Sequence, residues 1–318
     1  MKRLPAILAA LCAFITLIIF PDAAAYGVKS GLSICAEKII PSLLPFFIAS
    51  SLLTNLGATA YIGKALSPVS SRMFKVSGCG GSAFIMGLTG GYPLGASYIA
   101  EMYAKGQIKQ DEAERLIIFC NNSGPAFIIG AVGVGVFNSS AVGIFLYGVH
   151  ILAALCGGII LSGKSENAAS YNAAVSDTGF AKAFTEAVKS SVGALINVCG
   201  FILAFSVLVS LFDAAGAFSL LTGKIAACTG LELSFCRALL TGVLELGSGI
   251  GAMAGLSITP INLALAAFLL GWGGVSVHFQ SFSVIAETDI KTARYIIGRF
   301  VIAIFGAIFA FLGALFLL

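Results

Sequence analysis

Apolar runs of about twenty residues recur along the whole chain, with short polar segments between them, and each is long enough to cross a membrane as a helix. We therefore predict an all-α polytopic membrane protein. Two shorter segments, 59–75 and 216–230, mix polar with apolar positions, which is typical of interfacial helices. The uninterrupted runs predict helices over residues 4–20, 31–56, 139–161, 186–212 and 293–317.

Four further apolar runs are interrupted near their middle by polar or glycine-rich residues. Backbone that leaves the helix at membrane depth must be buried in protein or line a cavity. Broken helices of this kind form the substrate sites of transporters near the bilayer midplane. The runs and their breaks are 77–104 at Thr89-Gly90-Gly91-Tyr92-Pro93, 113–137 at Asn121-Asn122-Ser123-Gly124-Pro125, 232–257 at Gly247-Ser248-Gly249, and 260–284 at Gly271-Trp272-Gly273-Gly274.

The order of these elements in the first half of the chain returns in the second half. Residues 52–57 align with 211–216, and each segment ends in glycine. Residue identity between the halves is poor, but weak internal symmetry of this kind is expected of transporter repeats. The predicted organisation is an amino-terminal membrane helix in 1–28, a first repeat in 29–161, a linker in 162–185 and a second repeat in 186–318.

The distribution of basic residues predicts the topology. Suppose that the amino terminus is cytoplasmic, and that 77–104 and 232–257 are re-entrant hairpins. Of the 18 basic residues, 14 then lie in cytoplasmic segments, and Arg299 is one of them. The four on the opposite side of the membrane are Lys29, Lys38, Lys224 and Arg237. The positive-inside rule therefore favours two hairpins, a cytoplasmic linker and two repeats of inverted orientation.

Composition excludes several classes of function. The chain is 58% hydrophobic and 10% charged, with a mean hydropathy of +1.02, so its net charge of +4 does not indicate nucleic-acid binding. Eight cysteines without CxxC spacing and only two histidines predict no metal or other cofactor. HExxH and GxSxG motifs are absent, so we predict no enzyme. The run 4–20 exceeds a signal-peptide core, which favours a retained first helix.

The breaks supply the candidate substrate-binding residues. Adjacent amides at Asn121 and Asn122 would be costly in lipid without hydrogen bonds, so they either coordinate a ligand or hold the break against the facing hairpin. Trp272 either stacks on a planar substrate or packs in the interior. Pro93, the last residue of the first break, can begin a helix whose amino end favours anions. The predicted set is Thr89, Gly90, Gly91, Asn121, Asn122, Ser123, Ser248, Trp272 and Ser276.

Two residues are candidates for ion coupling. Glu245 is the acidic residue deep in an apolar run of the second half, and an intramembrane carboxylate is a functional candidate by default. His278 could titrate near physiological pH. Structural roles remain the alternative for both. No basic residue clearly lies at the midplane, so recognition of an anion would rest on amides and helix dipoles.

Three motifs of the first half resemble the YlbJ family of sporulation integral membrane proteins. This family is part of the wider nucleoside-recognition or Gate-domain group and is similar to concentrative nucleoside transporters. The motifs are Gly91-Tyr92-Pro93-Leu94-Gly95-Ala96, Glu112-Ala113-Glu114-Arg115 and Phe119-Cys120-Asn121-Asn122-Ser123-Gly124-Pro125.

The resemblance implies that both repeats are Gate-type, each with a re-entrant hairpin and a broken helix. It also implies movement of dipicolinate from the mother cell across the outer forespore membrane. We predict alternating access around a midplane site, with Glu245 as the candidate for coupling to a proton or sodium ion. The alternatives are a metal ion bound through Cys79 and Cys120, a nucleoside, or a non-transporting assembly factor. The oligomeric state stays open between a monomer and a homo-oligomer.

Overall fold

A computed structural model describes residues 4–161 and 179–317, and the regular secondary structure of these residues is entirely helical. Residues 162–178 of the predicted linker lie outside this part. Two π-helical segments, Cys35–Ile39 and Ala126–Val134, accompany the α-helices. The α-helices are α1 Leu4–Ile19, α2 Pro21–Ile34, α3 Ile40–Asn55, α4 Ala58–Phe74, α5 Gly78–Gly90, α6 Leu94–Ala104, α7 Gln110–Cys120, α8 Ser140–Leu161, α9 Phe180–Ala214, α10 Ala217–Thr229, α11 Leu233–Leu244, α12 Leu246–Gly251, α13 Pro260–Trp272, α14 Gly274–Ile285 and α15 Thr292–Leu317.

The predicted helix over 31–56 begins earlier in the structure, at Pro21. Proline suits the first helical turn because its missing N–H would have no partner there, and Asp22 complements the helix dipole. Within the described residues, five helical stretches are long and apolar enough to cross a membrane. They are Pro21–Asn55, Ser140–Leu161, Phe180–Ala214, Pro260–Ile285 and Thr292–Leu317.

The same order of helix lengths occurs in 21–161 and in 180–317. Each set begins with a stretch of 35 residues, Pro21–Asn55 or Phe180–Ala214. Gly57 (φ 77°) and Gly216 (φ 73°) then adopt the left-handed conformation, which glycine allows without steric cost. A short helix, two shorter helices, a broken helix and a long helix follow in both sets. The element order predicted from the sequence is therefore present.

The first break separates two helices that lie side by side. The Ser82 hydroxyl of α5 is 3.3 Å from the Tyr98 hydroxyl of α6. Gly91, between these helices, has φ 82°, and a Cβ atom there would lie 3.0 Å from the Gly124 amide nitrogen. The tip of the α5–α6 pair therefore touches the backbone of the break that follows α7.

Helix α15 packs closely against both broken helices. A Cβ atom on Gly298 would lie 2.4 Å from Ile118 of α7, and one on Gly271 of α13 would lie 2.6 Å from the Ala303 Cα. Small residues at such crossings allow the helix backbones to approach one another. The residue between these two contacts, Arg299, therefore faces the interior where the breaks meet.

Candidate functional site

Arg299 lies at the centre of the site, and the expectation that no basic residue occupies this region is wrong. Its side chain is fully buried on the third turn of α15. The guanidinium donates hydrogen bonds to the Gly271 carbonyl, the Tyr92 hydroxyl and Asn122 Oδ1, the last at 3.3 Å. A weaker contact of 3.5 Å reaches the Ile118 carbonyl.

These hydrogen bonds satisfy carbonyl groups that the breaks leave without a partner. The last four carbonyls of any helix lack an intrahelical donor, and leaving them unpaired in a membrane is costly. Ile118 belongs to the last turn of α7, and Gly271 to the last turn of α13. The Tyr92 hydroxyl donates to the Leu270 carbonyl at 3.2 Å. Residues of both halves therefore complete the helix ends.

The charge of Arg299 is balanced without a carboxylate. Among the described residues, none of its contacts within ion-pair distance is acidic. The carboxyl end of a helix carries a partial charge of about −0.5, so two such ends together offset about one positive charge. The ends of α7 and α13 both meet the guanidinium, which lowers the electrostatic cost of burying its charge.

Asn121 joins three other helices. Its Oδ1 accepts a hydrogen bond from the Ala96 amide of α6 at 3.3 Å. Its Nδ2 donates to Ser281 Oγ of α14 at 2.7 Å and to the Tyr295 hydroxyl of α15 at 2.9 Å. The side chain is fully buried. These contacts correspond to the structural alternative, in which the amide holds the break against the facing hairpin.

Asn122 is equally buried and engaged. Its Nδ2 donates to the Phe119 carbonyl at 2.6 Å, and its Oδ1 accepts from Arg299. Ser123 differs, because its side chain lies at a cavity wall while its amide donates to His150 Nε2 at 3.2 Å. The structure therefore separates Ser123 from the two asparagines that precede it.

A small cavity lies where the breaks of the two halves meet. Its volume is about 50 Å³, room for a few water molecules in this conformation. Its polar side chains come from both halves of the chain: Tyr92, Ser123, Glu245 and Gln280. Aliphatic residues of α3, α9 and α14 form much of the remaining wall. The lining residues are Ile39, Leu43, Tyr92, Ser123, Gly124, Phe127, Val198, Ile202, Glu245, Leu246, Gly247, Val277 and Gln280.

Glu245 lines this cavity and also caps a helix. Its Oε1 accepts a hydrogen bond from the Gly247 amide at 2.9 Å, and its Oε2 accepts one from the Ser248 amide at 2.5 Å. Both amides belong to the first turn of α12, where a carboxylate complements the helix dipole. The carboxylate is therefore fixed in place at the edge of the cavity.

The remaining predicted residues lie outside the cavity wall. The Thr89 hydroxyl is exposed and donates to the Ile85 carbonyl of its own helix at 2.8 Å. Gly90 and Gly91 form the end of α5 and the turn. Ser248 contributes its amide to Glu245, and Ser276 is fully buried nearby.

Trp272 and His278 form an aromatic group. The Trp272 indole donates to the Val243 carbonyl at 3.1 Å and meets the His278 ring edge-on, with centroids 4.3 Å apart. Neither His278 ring nitrogen has a hydrogen-bond partner among the described residues. The Tyr295 ring packs on the other edge of His278, at 5.3 Å.

A second, larger cavity of about 280 Å³ also lies beside α3 and α9. It adjoins the carboxyl end of α3, the α5–α6 pair and the first half of α9. Most of its lining residues carry a polar group. The lining residues are Ser50, Ser51, Thr54, Asn55, Met86, Leu94, Ser97, Tyr98, Glu101, Ser190 and Ala194.

Sequence reasoning missed Arg299, Tyr92 and Gln280 as components of the site. Arg299 carried a usable signal, since it lies six residues inside the predicted apolar run 293–317 and charged residues at such depth are rare. In residues 4–161 and 179–317, no group of three or more His, Cys, Asp or Glu residues could hold a metal ion.

Known proteins resemble this chain in sequence and in fold. Residues 36–158 match the Gate family, described as nucleoside recognition. The sporulation integral membrane protein YlbJ of Bacillus subtilis (strain 168) is 33% identical over 322 residues, which cover 93% of this chain and 79% of that protein.

Solved structures of the concentrative nucleoside transporter CNTnw have a similar fold. An outward-facing state of a variant has a TM-score of 0.56 at 12% identity, covering 97% of this chain and 87% of that chain. An inward-facing, substrate-bound state has a TM-score of 0.54 at 12% identity, covering 96% and 86%. At these identities the likeness concerns the fold alone.

Proposed function

This chain belongs to the family of the sporulation integral membrane protein YlbJ, and we propose that it transports a small organic anion, dipicolinate, across the outer forespore membrane. The observation that carries transport is the cavity between the breaks. Tyr92, Ser123 and Gly124 enter its wall from the first half, and Glu245, Gly247 and Gln280 enter from the second. Broken helices that meet at one site are typical of secondary transporters.

The position of Glu245 supports coupling to a cation. Its carboxylate borders the cavity, and a second anion beside it would be repelled strongly in a site of low dielectric constant. A dianion such as dipicolinate would bind when Glu245 carries a proton or pairs with a cation. The Ser123 hydroxyl and the Gln280 amide would then supply hydrogen bonds to its carboxylates.

The proposed movement is alternating access between two inverted repeats. The cavity of about 50 Å³ is too small for a pyridine dicarboxylate, so binding requires an opening movement. The larger polar cavity would form the cytoplasmic vestibule. Phe47, fully buried on α3 between the vestibule residue Ser50 and the inner residue Leu43, would form the barrier.

The proposed topology predicts that residue 107 is cytoplasmic, between a re-entrant α5–α6 hairpin and α7. We expect a membrane-impermeant maleimide to label Gln107→Cys only from the cytoplasmic side, because a hairpin returns to the side that it entered. The matched variant Glu232→Cys, before the second hairpin, should be labelled only from the opposite side. Both positions are exposed, and the parent protein gives the background from native thiols. Labelling of both cysteines from one side would exclude inverted repeats.

Flux into proteoliposomes tests the substrate. We expect the wild-type protein to accelerate dipicolinate entry under a proton or sodium gradient, and Gln280→Ala to reduce entry at least tenfold. Loss of one direct hydrogen bond worth about 1.4 kcal/mol accounts for such a factor. Gln107→Ala also removes a glutamine side chain, but from an exposed position, so it should leave flux unchanged. The absence of wild-type flux under either gradient would refute dipicolinate as the substrate.

The same vesicles test coupling and the second candidate, a nucleoside, which the family match and the CNTnw fold favour. Glu245→Gln keeps an acceptor for the α12 amides but cannot exchange a proton, so we expect downhill flux without accumulation. Entry of a labelled nucleoside, with none of dipicolinate, would favour the second candidate. If the substrate were a metal ion bound by Cys120, the Cys120→Ser variant would have to lose metal-ion flux.

A further inference from the structure

The guanidinium of Arg299 lies where two broken helices present their carboxyl ends to the same point. Ile118 of α7 and Gly271 of α13 each contribute a backbone carbonyl from a last helical turn. Asn122 Oδ1 and the Tyr92 hydroxyl add two further oxygen atoms. Four neutral oxygens from both halves therefore surround one positive charge.

Such a set of ligands is the kind that binds a monovalent metal cation. In transporters with broken helices, unwound carbonyls and the carboxyl ends of half-helices coordinate the coupling sodium ion. The oxygens around Arg299 are of this type, and none of them belongs to a carboxylate. The guanidinium, however, is attached to α15 and cannot leave with the substrate.

We propose that Arg299 is a built-in cation that replaces a mobile metal cation at the junction of the two breaks. It neutralises the two helix ends permanently, so sodium does not bind there. If the protein is the transporter proposed above, this role of Arg299 also determines where a coupling ion acts. A coupling ion would act at Glu245, in the cavity wall, and not at the helix carboxyl ends.

Thermal unfolding of the purified protein in detergent tests this role without any substrate. Arg299→Ala is compared with Arg294→Ala on the same helix, whose guanidinium forms an exposed ion pair with Asp111 at 3.0 Å. We expect Arg299→Ala to lower the unfolding midpoint by on the order of 10 °C, since it leaves the helix ends without a cation. Arg294→Ala should change the midpoint little, because exposed ion pairs contribute little to stability. Its second acidic neighbour, the buried Glu114 at 3.7 Å, keeps its hydrogen bonds from Gln110 and the Lys291 amide.

Added cations then identify the site. Guanidinium at concentrations below those that denature the wild type should raise the midpoint of Arg299→Ala, and sodium should raise it relative to choline at equal ionic strength. The wild type and Arg294→Ala should show neither increase. Two results would overturn the proposal: a sodium-dependent increase in the wild type, or an Arg299→Ala variant that responds to neither cation.

If Arg299→Ala does not yield folded protein, Arg299→Lys and Arg299→Gln are compared instead. Both side chains are long and polar, and only lysine keeps the charge. The proposal requires Arg299→Lys to be the more stable variant, and equal stability would refute it. This readout is independent of transport, so absence of dipicolinate flux would contradict the proposed function and leave the role of Arg299 unaffected.

Discussion

Replacing Gly87 with alanine is expected to lower the free energy of unfolding by about 3 kcal/mol, because overpacking against backbone cannot be relieved by a rotamer change. A Cβ atom at position 87 would lie 1.5 Å from the Cys120 carbonyl oxygen, at the end of α7. Separation of α5 from α7 would displace the break and the cavity together. The unfolding midpoint in detergent and the yield of folded protein measure the effect.

Gly148→Ala is the matched control for this change. Gly148 lies within α8 and is exposed, and a Cβ atom there would meet no neighbouring atom within 4 Å, so alanine fits without a clash. Alanine is also the better helix former by about 1 kcal/mol. We therefore expect unchanged or slightly increased stability. A Gly87→Ala variant as stable as Gly148→Ala would show that α5 does not contact the α7 break so closely.

Asn121→Ala is expected to cost on the order of 3 kcal/mol, because it removes three buried hydrogen bonds and takes away the side-chain partner of the Ala96 amide. The Ala96 amide, Ser281 and Tyr295 each lose a hydrogen bond. The unfolding midpoint should fall, whereas the substrate concentration for half-maximal flux of the remaining folded protein should stay the same. A substrate-binding asparagine would give the opposite pair of results.

Asn197→Ala controls for the loss of an amide. The Asn197 side chain of α9 donates a hydrogen bond of 2.9 Å to Ser283 of α14, at an accessible position. The substitution removes the amide itself, and the Ser283 hydroxyl keeps its hydrogen bond to the Gln280 carbonyl, so the expected loss is about 1 kcal/mol or less. Similar midpoints for the two alanine variants would contradict the role of Asn121 as the link between α6, α14 and α15.

The breaks and the helices were predictable because their causes are local. Glycine, proline and paired asparagines end a helix within a few residues, whatever the rest of the chain does. Length and apolarity define a membrane helix in the same way. The left-handed glycines, Gly57 and Gly216, occupy the equivalent positions that the alignment of the two halves indicated.

The partners of the polar residues were not predictable, because they lie far apart in sequence. Asn121 and Tyr295 are 174 positions apart, and Arg299 and Tyr92 are 207 apart. A sequence pattern shows that a polar group in an apolar run needs a partner. It does not show whether that partner is a ligand or another part of the chain.

The sequence by itself determined the membrane class, the order of the helices and the positions of the breaks, since these follow from local composition and hydropathy. Only the tertiary structure showed which residues the asparagines contact, that Ser123 and Glu245 border a common cavity, and that Arg299 contacts two helix ends. The physical reason is that burial leaves no water to satisfy polar groups, so each depends on whichever distant residue the packing of α6, α14 and α15 brings within hydrogen-bond distance.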